Sequence, residues 1–179
     1  MKILKRDFFA HFTVKVAKKL LGKILIRKIG ENKLSGKIVE VEAYLGKEDP
    51  ASHASFGKTP RNSVMFGKPG FAYVYFCYGN HYMMNVVTEK EGIAGAVLIR
   101  ALEPYKCRLS AEINGPGKLT KALRIGKGFN GYDLTKGKKI YLADDGLKKF
   151  KIKRSGRIGI KKGCNKLFRF YIAGNKNVS

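Results

Sequence analysis

The sequence predicts an α+β fold built on a mostly antiparallel sheet. Apolar segments with the pattern of strands follow one another along the chain and are joined by short turns, which favours antiparallel pairing. Helix signals are confined to two segments. With 179 residues, of which 44% are hydrophobic, the chain is long enough to bury a core as a single domain over residues 1–179.

The two helices are predicted from their ends and their spacing. Thr13 is a residue type that caps helices, apolar residues follow it at helical intervals as far as Leu21, and Gly22 suits the position just after a helix. The second helix is expected from about Lys118 to Ile125, directly after Gly115-Pro116-Gly117.

Five strands are predicted from apolar runs that end at turn residues. They are expected at residues 24–29, 35–45, 71–78, 81–88 and 96–102. A loop from residue 46 to about 69 separates the second strand from the third, because three prolines interrupt regular structure there. The C-terminal third alternates short strands with Gly and Lys residues.

The third and fourth strands form a β-hairpin without charge. The eighteen residues Phe71–Thr88 contain no Asp, Glu, Lys or Arg, although 28% of the chain is charged. Gly79-Asn80 in their middle is a two-residue turn signal. The aromatic residues of the arms suit a core or, in a positive field, a stacking surface for nucleobases. Tyr78, beside the turn, is placed to wedge between bases.

Charge is the strongest global signal. The 37 Lys and Arg residues outnumber 13 Asp and Glu, which gives a formal net charge of +24, and Lys148–Arg169 holds ten basic residues and no acid. A surface adapted for solubility is one explanation, but a charge of this size favours a polyanionic partner. Nucleic acid fits better than a membrane, because the cations do not share one face of an amphipathic helix.

Several classes of protein are disfavoured. No run approaches the roughly 18 to 20 apolar residues of a membrane span, and charged residues interrupt the first twelve positions where a secretory signal would need an apolar core. The three cysteines form no CxxC pair, which predicts reduced thiols in a cytosolic compartment, with neither a disulfide framework nor a zinc site.

The strand at residues 37–45 carries the first candidates for chemistry. Alternation places Glu40, Glu42 and Tyr44 on one face, with neighbouring Cα atoms about 7 Å apart. This face is either the wet side of a half-buried strand or a site that holds an aromatic substrate and activates water. In a chain so poor in acids, two acids on one face should meet basic partners.

Three basic residues elsewhere are further candidates. Arg100 lies in a hydrophobic strand, on the alternation face of Leu98 and Leu102, and needs a carboxylate or a phosphate there; a structural ion pair is the alternative to a functional role. His53 lies in a loop, where a solvated histidine is the ordinary case. Arg61 lies in a turn, which is either a plain turn or a loop that contacts phosphate.

Two glycine-rich matches do not predict nucleotide sites. The GxGxxG pattern at 126–131 follows a helix rather than a strand, and Gly117-Lys118-Leu119-Thr120 lacks the remaining residues of a P-loop. The backbone N–H groups at the start of the second helix, near Lys118, stay a candidate site for a phosphate.

Long runs of the chain match one known family. They read IVEVEAYLGKEDPASHA, TPRN, MFGKPGFAYVYFCYG, MNV, LIRALEP, GPGKL and RIGI. On these runs, from about Leu4 to Tyr171, the chain resembles the alkyladenine (3-methyladenine or methylpurine) DNA glycosylases. Residues 161–168, KKGCNKLF, depart from a longer and less basic family segment. The resemblance implies a single mixed α/β domain with a curved antiparallel sheet, flanking helices and a protruding β-hairpin.

The resemblance also implies roles for individual residues. Glu42 matches the general base, and Arg100 matches a residue that holds the attacking water together with a backbone carbonyl at about Ile158. The pocket that binds the flipped base would be formed by Tyr44, His53, Tyr75 and Asn85. Asn85 would disfavour the exocyclic amine of guanine, and Tyr78 would fill the space that the base leaves in the duplex.

The expected activity is hydrolysis of the N-glycosidic bond of alkylated or deaminated purines in double-stranded DNA, by a monofunctional and monomeric enzyme without a cofactor or metal. Candidate substrates are 3-methyladenine, 7-methylguanine, hypoxanthine and ethenoadenine. We expect a cytoplasmic protein, on the nucleoid in a prokaryote, or a nuclear one in a eukaryote. The rival function, a structural RNA-binding protein, fits size and charge but gives no reason for Glu42 and Tyr44 to share a strand face.

Overall fold

One curled antiparallel sheet organises the fold. The computed structural model describes residues 1–77, 79–106, 113–146 and 149–179, and in them nine strands join in a single sheet. The strands are β1 (Lys2–Ile3), β2 (Ile24–Ile29), β3 (Asn32–Tyr44), β4 (Ala72–Cys77), β5 (His81–Val87), β6 (Ala96–Pro104), β7 (Ile140–Asp144), β8 (Ile152–Ser155) and β9 (Arg169–Ile172). The helices in the same ranges are α1 (Arg6–Phe9), α2 (Thr13–Leu20) and α3 (Pro116–Ala122), with 3₁₀ turns at Ser63–Phe66, Lys127–Phe129 and Leu134–Lys136.

The long strand β3 is the centre of the sheet. The strand order is β1-β7-β2-β3-β6-β5-β4, and β9 pairs with both β3 and β8. The first half of β3 pairs with β2, whereas residues 40–42 lie between β6 and β9. The backbone of residues 40–42 is therefore paired on both sides, and their side chains are fully buried.

Two β-bulges interrupt the pairing of β3 with β6. The register passes over Val39 on β3 and Arg100 on β6, so that each is an extra residue without a partner directly opposite. The alternation of faces restarts after each bulge, and Ala101 and Leu102 therefore both enter the core. The predicted face was wrong in this respect: Arg100 shares its face with Leu98 but not with Leu102.

The core packs helix α2 against the sheet. Val16, Ala17 and Leu20 of α2 are fully buried among the apolar residues of β3 and β6. Gly22 follows the helix with φ +80°, as its predicted position after the helix requires.

The predicted capping role of Thr13 is wrong. Thr13 is the first helical residue, after Phe12, and its side chain does not cap the helix. Instead its N–H and its hydroxyl donate to Oε1 of Glu89, at 2.6 and 2.7 Å, while the hydroxyl also lies 2.9 Å from that of Thr88. A carboxylate that is distant in sequence therefore caps α2.

The predicted elements agree with the structure to within a few residues. β2 has the predicted bounds, β3 starts three residues early, and α3 begins at Pro116 rather than at Lys118. The hairpin has its predicted arms in β4 and β5. Its protrusion and the flanking position of the helices stay predictions. Within the described ranges, no helix is long and apolar enough to cross a bilayer.

Gly95 tests the packing around the capped helix. A Cβ at this position would overlap the hydroxyls of Thr13 and Thr88 and the side chain of Glu89. We expect Gly95→Ala to lower the free energy of unfolding by about 1–3 kcal/mol in chemical denaturation, because all three neighbours must move. Gly128→Ala is the control, since a Cβ there meets open space; equal losses in the two variants would contradict the packing argument.

Candidate active site

A pocket of about 500 Å³ opens on the face of β3 that carries the two glutamates. Its wall combines apolar and aromatic side chains with a few polar groups, as is typical of small-molecule sites. The residues that line it include Glu42, Tyr44, His53, Met65, Tyr73, Tyr75, Asn85, Leu98, Arg100, Ile158, Lys161 and Lys162. The structure therefore brings together Glu42, Arg100 and all four residues predicted for the base pocket.

Glu42 is a fully buried carboxylate on the inner wall of this pocket. The hydroxyl of Tyr44 donates to its Oε2 at 2.8 Å, and the N–H of Ile158 donates to its Oε1 at 2.8 Å. Nη1 of Arg100 lies 3.4 Å from Oε1. A carboxylate has about four acceptor sites, so these contacts fix its orientation and leave capacity for one more donor.

The contact of Ile158 differs from the expected one. The resemblance implied a backbone carbonyl near residue 158 that holds water. The group that the structure places against Glu42 is the Ile158 N–H, which donates to the carboxylate. Ile158 thus contributes first to holding the acid in place.

Glu40, two residues earlier, is equally buried but has different partners. Its Oε1 accepts from Nε of Arg100 at 2.9 Å and from Nε of Arg169 at 2.7 Å. The hydroxyl of Ser179 also donates to Oε1, at 2.8 Å, and the backbone N–H of Ser179 donates to Oε2, at 2.7 Å. Burial by itself would raise the pKa of the Glu40 carboxyl, but hydrogen bonds from Ser179 and Arg169 and the charge of Arg100 outweigh burial and hold that pKa below its usual range.

The two acids therefore meet basic partners, as the sequence predicted. Glu40 has four hydrogen-bond donors and lies outside the pocket wall, whereas Glu42 has two and lines the pocket. The expectation that this strand face could lie in water is wrong, because Glu40 and Glu42 are both fully buried, and Arg100, Arg169 and Ser179 lie against Glu40. Arg100 joins the two carboxylates, so the structural ion pair is present, and its functional role stays a prediction.

Tyr44 connects Glu42 to a second buried arginine. Burial, together with the negative charge of Glu42, raises the pKa of the Tyr44 hydroxyl well above its usual value, so the hydroxyl stays protonated and donates. The guanidinium of Arg157 lies over the Tyr44 ring, 4.6 Å from the centroid. One face of the ring is thus occupied by protein.

Arg157 and Asp49 form a fully buried ion pair behind the pocket. Nη1 and Nη2 of Arg157 donate to the two carboxylate oxygens of Asp49, each at 2.6 Å, and Nη1 also donates to the Ala43 carbonyl at 2.9 Å. Gly163 packs against this pair. The pair joins the loop after β3 to the loop after β8, and the second loop carries the Ile158 N–H.

Three aromatic residues form the opposite wall. The ring of Tyr75 lies 4.5 Å from that of His53 and 5.2 Å from that of Tyr73, between centroids. Nδ1 of His53 is 2.8 Å from the Tyr73 hydroxyl. Desolvation and then the charge of Arg61 lower the pKa of His53, so its imidazole is neutral near pH 7, and burial raises the pKa of Tyr73 to about 12. This wall is an uncharged aromatic surface.

Asn85 is buried in the same region, on β5. Its side-chain N–H group donates to the Tyr73 carbonyl at 3.1 Å, across the hairpin register in which Asn85 faces Tyr73. This bond fixes the amide against the pocket wall.

Arg61 and Lys118 lie outside the pocket wall. Arg61 is exposed, and its Nη2 donates to the Phe76 carbonyl at 3.3 Å. Lys118 is exposed on α3, and its Nζ donates to Asn114 at 2.7 Å. Tyr78 lies outside the described residues.

Sequence reasoning did not single out Asp49, Tyr73 or Arg157 for the site. Arg157 stands in the matched run RIGI, and Asp49 is a rare acid in a basic chain, so both carried a signal that a buried pair was present. Their partnership was not predictable, because 108 positions separate them.

Asp49 gives a test of the buried pair. Burial alone would raise the pKa of Asp49, but hydrogen bonds from Arg157 and the Leu45 amide hold it below its usual range. Because the pKa of Asp49 is lower in the folded than in the unfolded chain, the ionised Asp49 stabilises the fold at pH values above about 3.9, its pKa in the unfolded chain. This stabilisation is lost as the pH falls through the pKa of Asp49 in the folded state. We expect Asp49→Asn to lower the free energy of unfolding by about 3–5 kcal/mol near pH 7. Below about pH 4, the free energy of unfolding of this variant should fall less steeply with pH than that of the parent.

Thermal unfolding followed by circular dichroism from pH 7 to 3 measures both effects. Asp7→Asn removes an exposed acid on α1 and should change stability by no more than about 0.5 kcal/mol. If stability falls with pH in the same way in the parent and in Asp49→Asn, the loss of stability at low pH is not caused by protonation of Asp49.

The chain is similar to known proteins over its whole length. The family model described as methylpurine-DNA glycosylase matches residues 7–176. A protein of Legionella pneumophila is 49% identical over 183 residues, which cover 100% of this chain and 99% of that protein. Relatives in Carboxydothermus hydrogenoformans (48% identity, 99% of this chain, 98% of the relative) and Chlorobium phaeobacteroides (43%, 100% and 97%) are similar. All three bear the name "Putative 3-methyladenine DNA glycosylase". The chain therefore belongs to the methylpurine-DNA glycosylase family, the DNA glycosylases that act in repair of alkylated bases.

Proposed function

We propose that this protein is a monofunctional glycosylase that flips alkylated or deaminated purines out of duplex DNA and hydrolyses their N-glycosidic bond as the first step of base excision repair. The observation that carries the proposal is the fully buried Glu42 carboxylate in an aromatic pocket of about 500 Å³. Such a pocket suits a flat, uncharged or cationic ring, and the acid beside it suits hydrolysis at the attached sugar.

The burial of Glu42 supports base flipping. A sugar inside a stacked duplex cannot approach a carboxylate in a pocket, so the nucleotide must leave the stack, at a cost of a few kcal/mol. Stacking of the flipped purine between Tyr44 and Tyr75 supplies about 1–3 kcal/mol and offsets much of that cost. Damaged bases that pair poorly cost less to extrude, which contributes to selection.

Glu42 acts as general base in this proposal. Its free acceptor site binds a water, while Tyr44, Ile158 and Arg100 hold the carboxylate still. As the bond between the sugar C1′ and the purine nitrogen breaks, its electron pair leaves with the purine, the water oxygen bonds to C1′ and one water proton passes to Glu42. A purine that is cationic through alkylation leaves as a neutral base, and a deaminated purine takes up a proton as it leaves. The carboxylate also stabilises the positive charge that develops on the sugar. The products are the free base and an abasic site.

Arg100 positions Glu42 and the water. Its Nε is held by Glu40, which leaves Nη1 directed at Glu42. Since Arg100 shares its face of β6 with Leu98, which lines the pocket, the guanidinium lies beside the proposed reacting groups rather than in the core.

Asn85 contributes to base selection. Its amide is bonded to the Tyr73 carbonyl and cannot swing away from the wall without losing that bond. We propose that the Asn85 amide disfavours the exocyclic amine of an ordinary guanine. The neutral His53, in the aromatic wall with Tyr73 and Tyr75, completes the surface that contacts the base.

The remaining roles rest on the resemblance and the charge. Tyr78 at the hairpin tip would fill the gap in the duplex, and Arg61 and Lys118 would contact the DNA backbone. Residues 1–179 would form one glycosylase domain that works as a monomer in the compartment of the genome. The rival function, structural RNA binding, is not favoured by the family and leaves the buried acid of the pocket unexplained.

Glu42→Gln tests the proposed base. The amide keeps the size of the side chain but cannot accept a proton, so we expect excision to fall by roughly 10²–10⁴-fold while binding to lesion DNA is kept. Single-turnover release of base from a duplex with one 3-methyladenine analogue or hypoxanthine, read as alkali-labile breaks, gives the rate. Glu91→Gln, at an exposed turn, is the control and should excise normally. Normal excision by Glu42→Gln would remove Glu42 as base.

Tyr78→Ala tests the wedge. Filling the gap matters most where the duplex is stable, so we expect a larger loss of excision when the lesion is in a well-paired site than when it stands opposite a mismatched base. Comparison of single-turnover rates on the two duplexes measures this. Equal losses on both would argue against a wedge.

A further inference from the structure

The C-terminal segment 149–169 concentrates positive charge beside the pocket. It contains no Asp or Glu, and its basic residues fall into two groups. Three have partners within the protein, namely Arg157, Lys166 and Arg169. Six are exposed, namely Lys149, Lys151, Lys153, Arg154, Lys161 and Lys162.

The six exposed cations have no counter-ion in the described parts of the chain. Two acids that contact this segment are already engaged, because Asp49 is bound by Arg157 and Glu40 by Arg169 and Arg100. The buried arginines thus serve the architecture. The exposed cations contribute nothing that the fold requires and repel one another, so they point to an external polyanion.

The exposed cations are distributed from the edge strand β8 to the loop that lines the pocket. Strand β8 pairs with β9 on one side, and residues 152–154 are exposed. The chain then turns inward at the buried Arg157, and the loop that follows lines the pocket as far as Lys162. The cations at 149–154 and the pair Lys161-Lys162 are therefore joined by a loop that the Asp49–Arg157 pair holds in place.

The opposite side of the pocket is different. It is formed by the hairpin β4–β5, whose side chains carry no formal charge and contribute Tyr75, Cys77 and Met83 to the lining. Arg61, outside the lining, is bonded to the hairpin backbone. The pocket therefore lies between a neutral aromatic wall and a cationic wall.

We infer that residues 149–162 bind the phosphates of the DNA strand that carries the lesion, with Lys161 and Lys162 closest to the flipped nucleotide. This inference deepens the proposed function, on which its reference to a flipped nucleotide rests. Phosphates on the cationic wall orient the strand so that the neutral hairpin faces the bases. The asymmetry of charge, rather than the total charge, then sets the direction in which the duplex crosses the pocket.

Paired substitutions test the surface. Lys161→Gln/Lys162→Gln and Lys153→Gln/Arg154→Gln each remove two cations from it. The matched control is Lys15→Gln/Lys19→Gln, which removes two exposed cations from α2. Fluorescence anisotropy with an undamaged 20-base-pair duplex and with the same duplex carrying one hypoxanthine, over a salt series, gives Kd and its salt dependence. Melting curves establish that the variants fold.

The expected results differ between surface and control. Each lost phosphate contact lowers the slope of log K against log salt by about 0.9, so either surface variant should lose roughly one to two units of slope and bind about 5- to 20-fold more weakly. The control should change Kd by less than about 2-fold and keep the parent slope, because its cations lie outside the contact.

Three outcomes would overturn the inference. Equal losses in the control and in the surface variants would show that only the total charge matters. Unchanged slopes in the surface variants would show that these residues make no phosphate contact. A larger loss on an RNA duplex than on DNA would assign the surface to RNA. The proposed function fails separately: a parent protein that releases no damaged purine would refute it, while the binding slopes on undamaged DNA would still decide the surface.

Discussion

The structure depends on keeping two carboxylates buried side by side on the central strand. An isolated buried carboxylate is unstable in the ionised form, so each must be surrounded by donors. Glu40 receives its donors from β6, β9 and Ser179, and Glu42 receives its own from Tyr44, the loop after β8 and Arg100. The same requirement that stabilises the acids therefore draws distant segments of the chain together around them.

The two acids differ in their partners and in their access to the pocket. Glu40 is bonded to two arginines and a serine and so keeps Arg100 in a fixed position. Glu42 is held by fewer donors and faces a cavity. This explains why adjacent positions on one strand face, with identical side chains, support different roles: the difference lies in the number of donors and in access to the pocket.

A similar division holds for the positive charge. Buried arginines compensate buried acids, as in the pair Arg157–Asp49, and are committed to the fold. Exposed lysines of the same segment have no internal partner within the described ranges. In a chain with 37 basic and 13 acidic residues, the excess must be exposed, and its position beside the pocket makes it available to the polyanion on which the family acts.

The sequence alone determined the antiparallel sheet, the neutral hairpin, the excess of positive charge and the shared face of Glu40, Glu42 and Tyr44, because these follow from local period and composition. It also contained the family pattern. Only the tertiary structure decided that the glutamate face is buried, that bulges separate Arg100 from Leu102, and that Arg157 pairs with Asp49. Those facts depend on which strands pair with β3, and in what register, and on contacts between residues more than a hundred positions apart. No local sequence pattern encodes either of them.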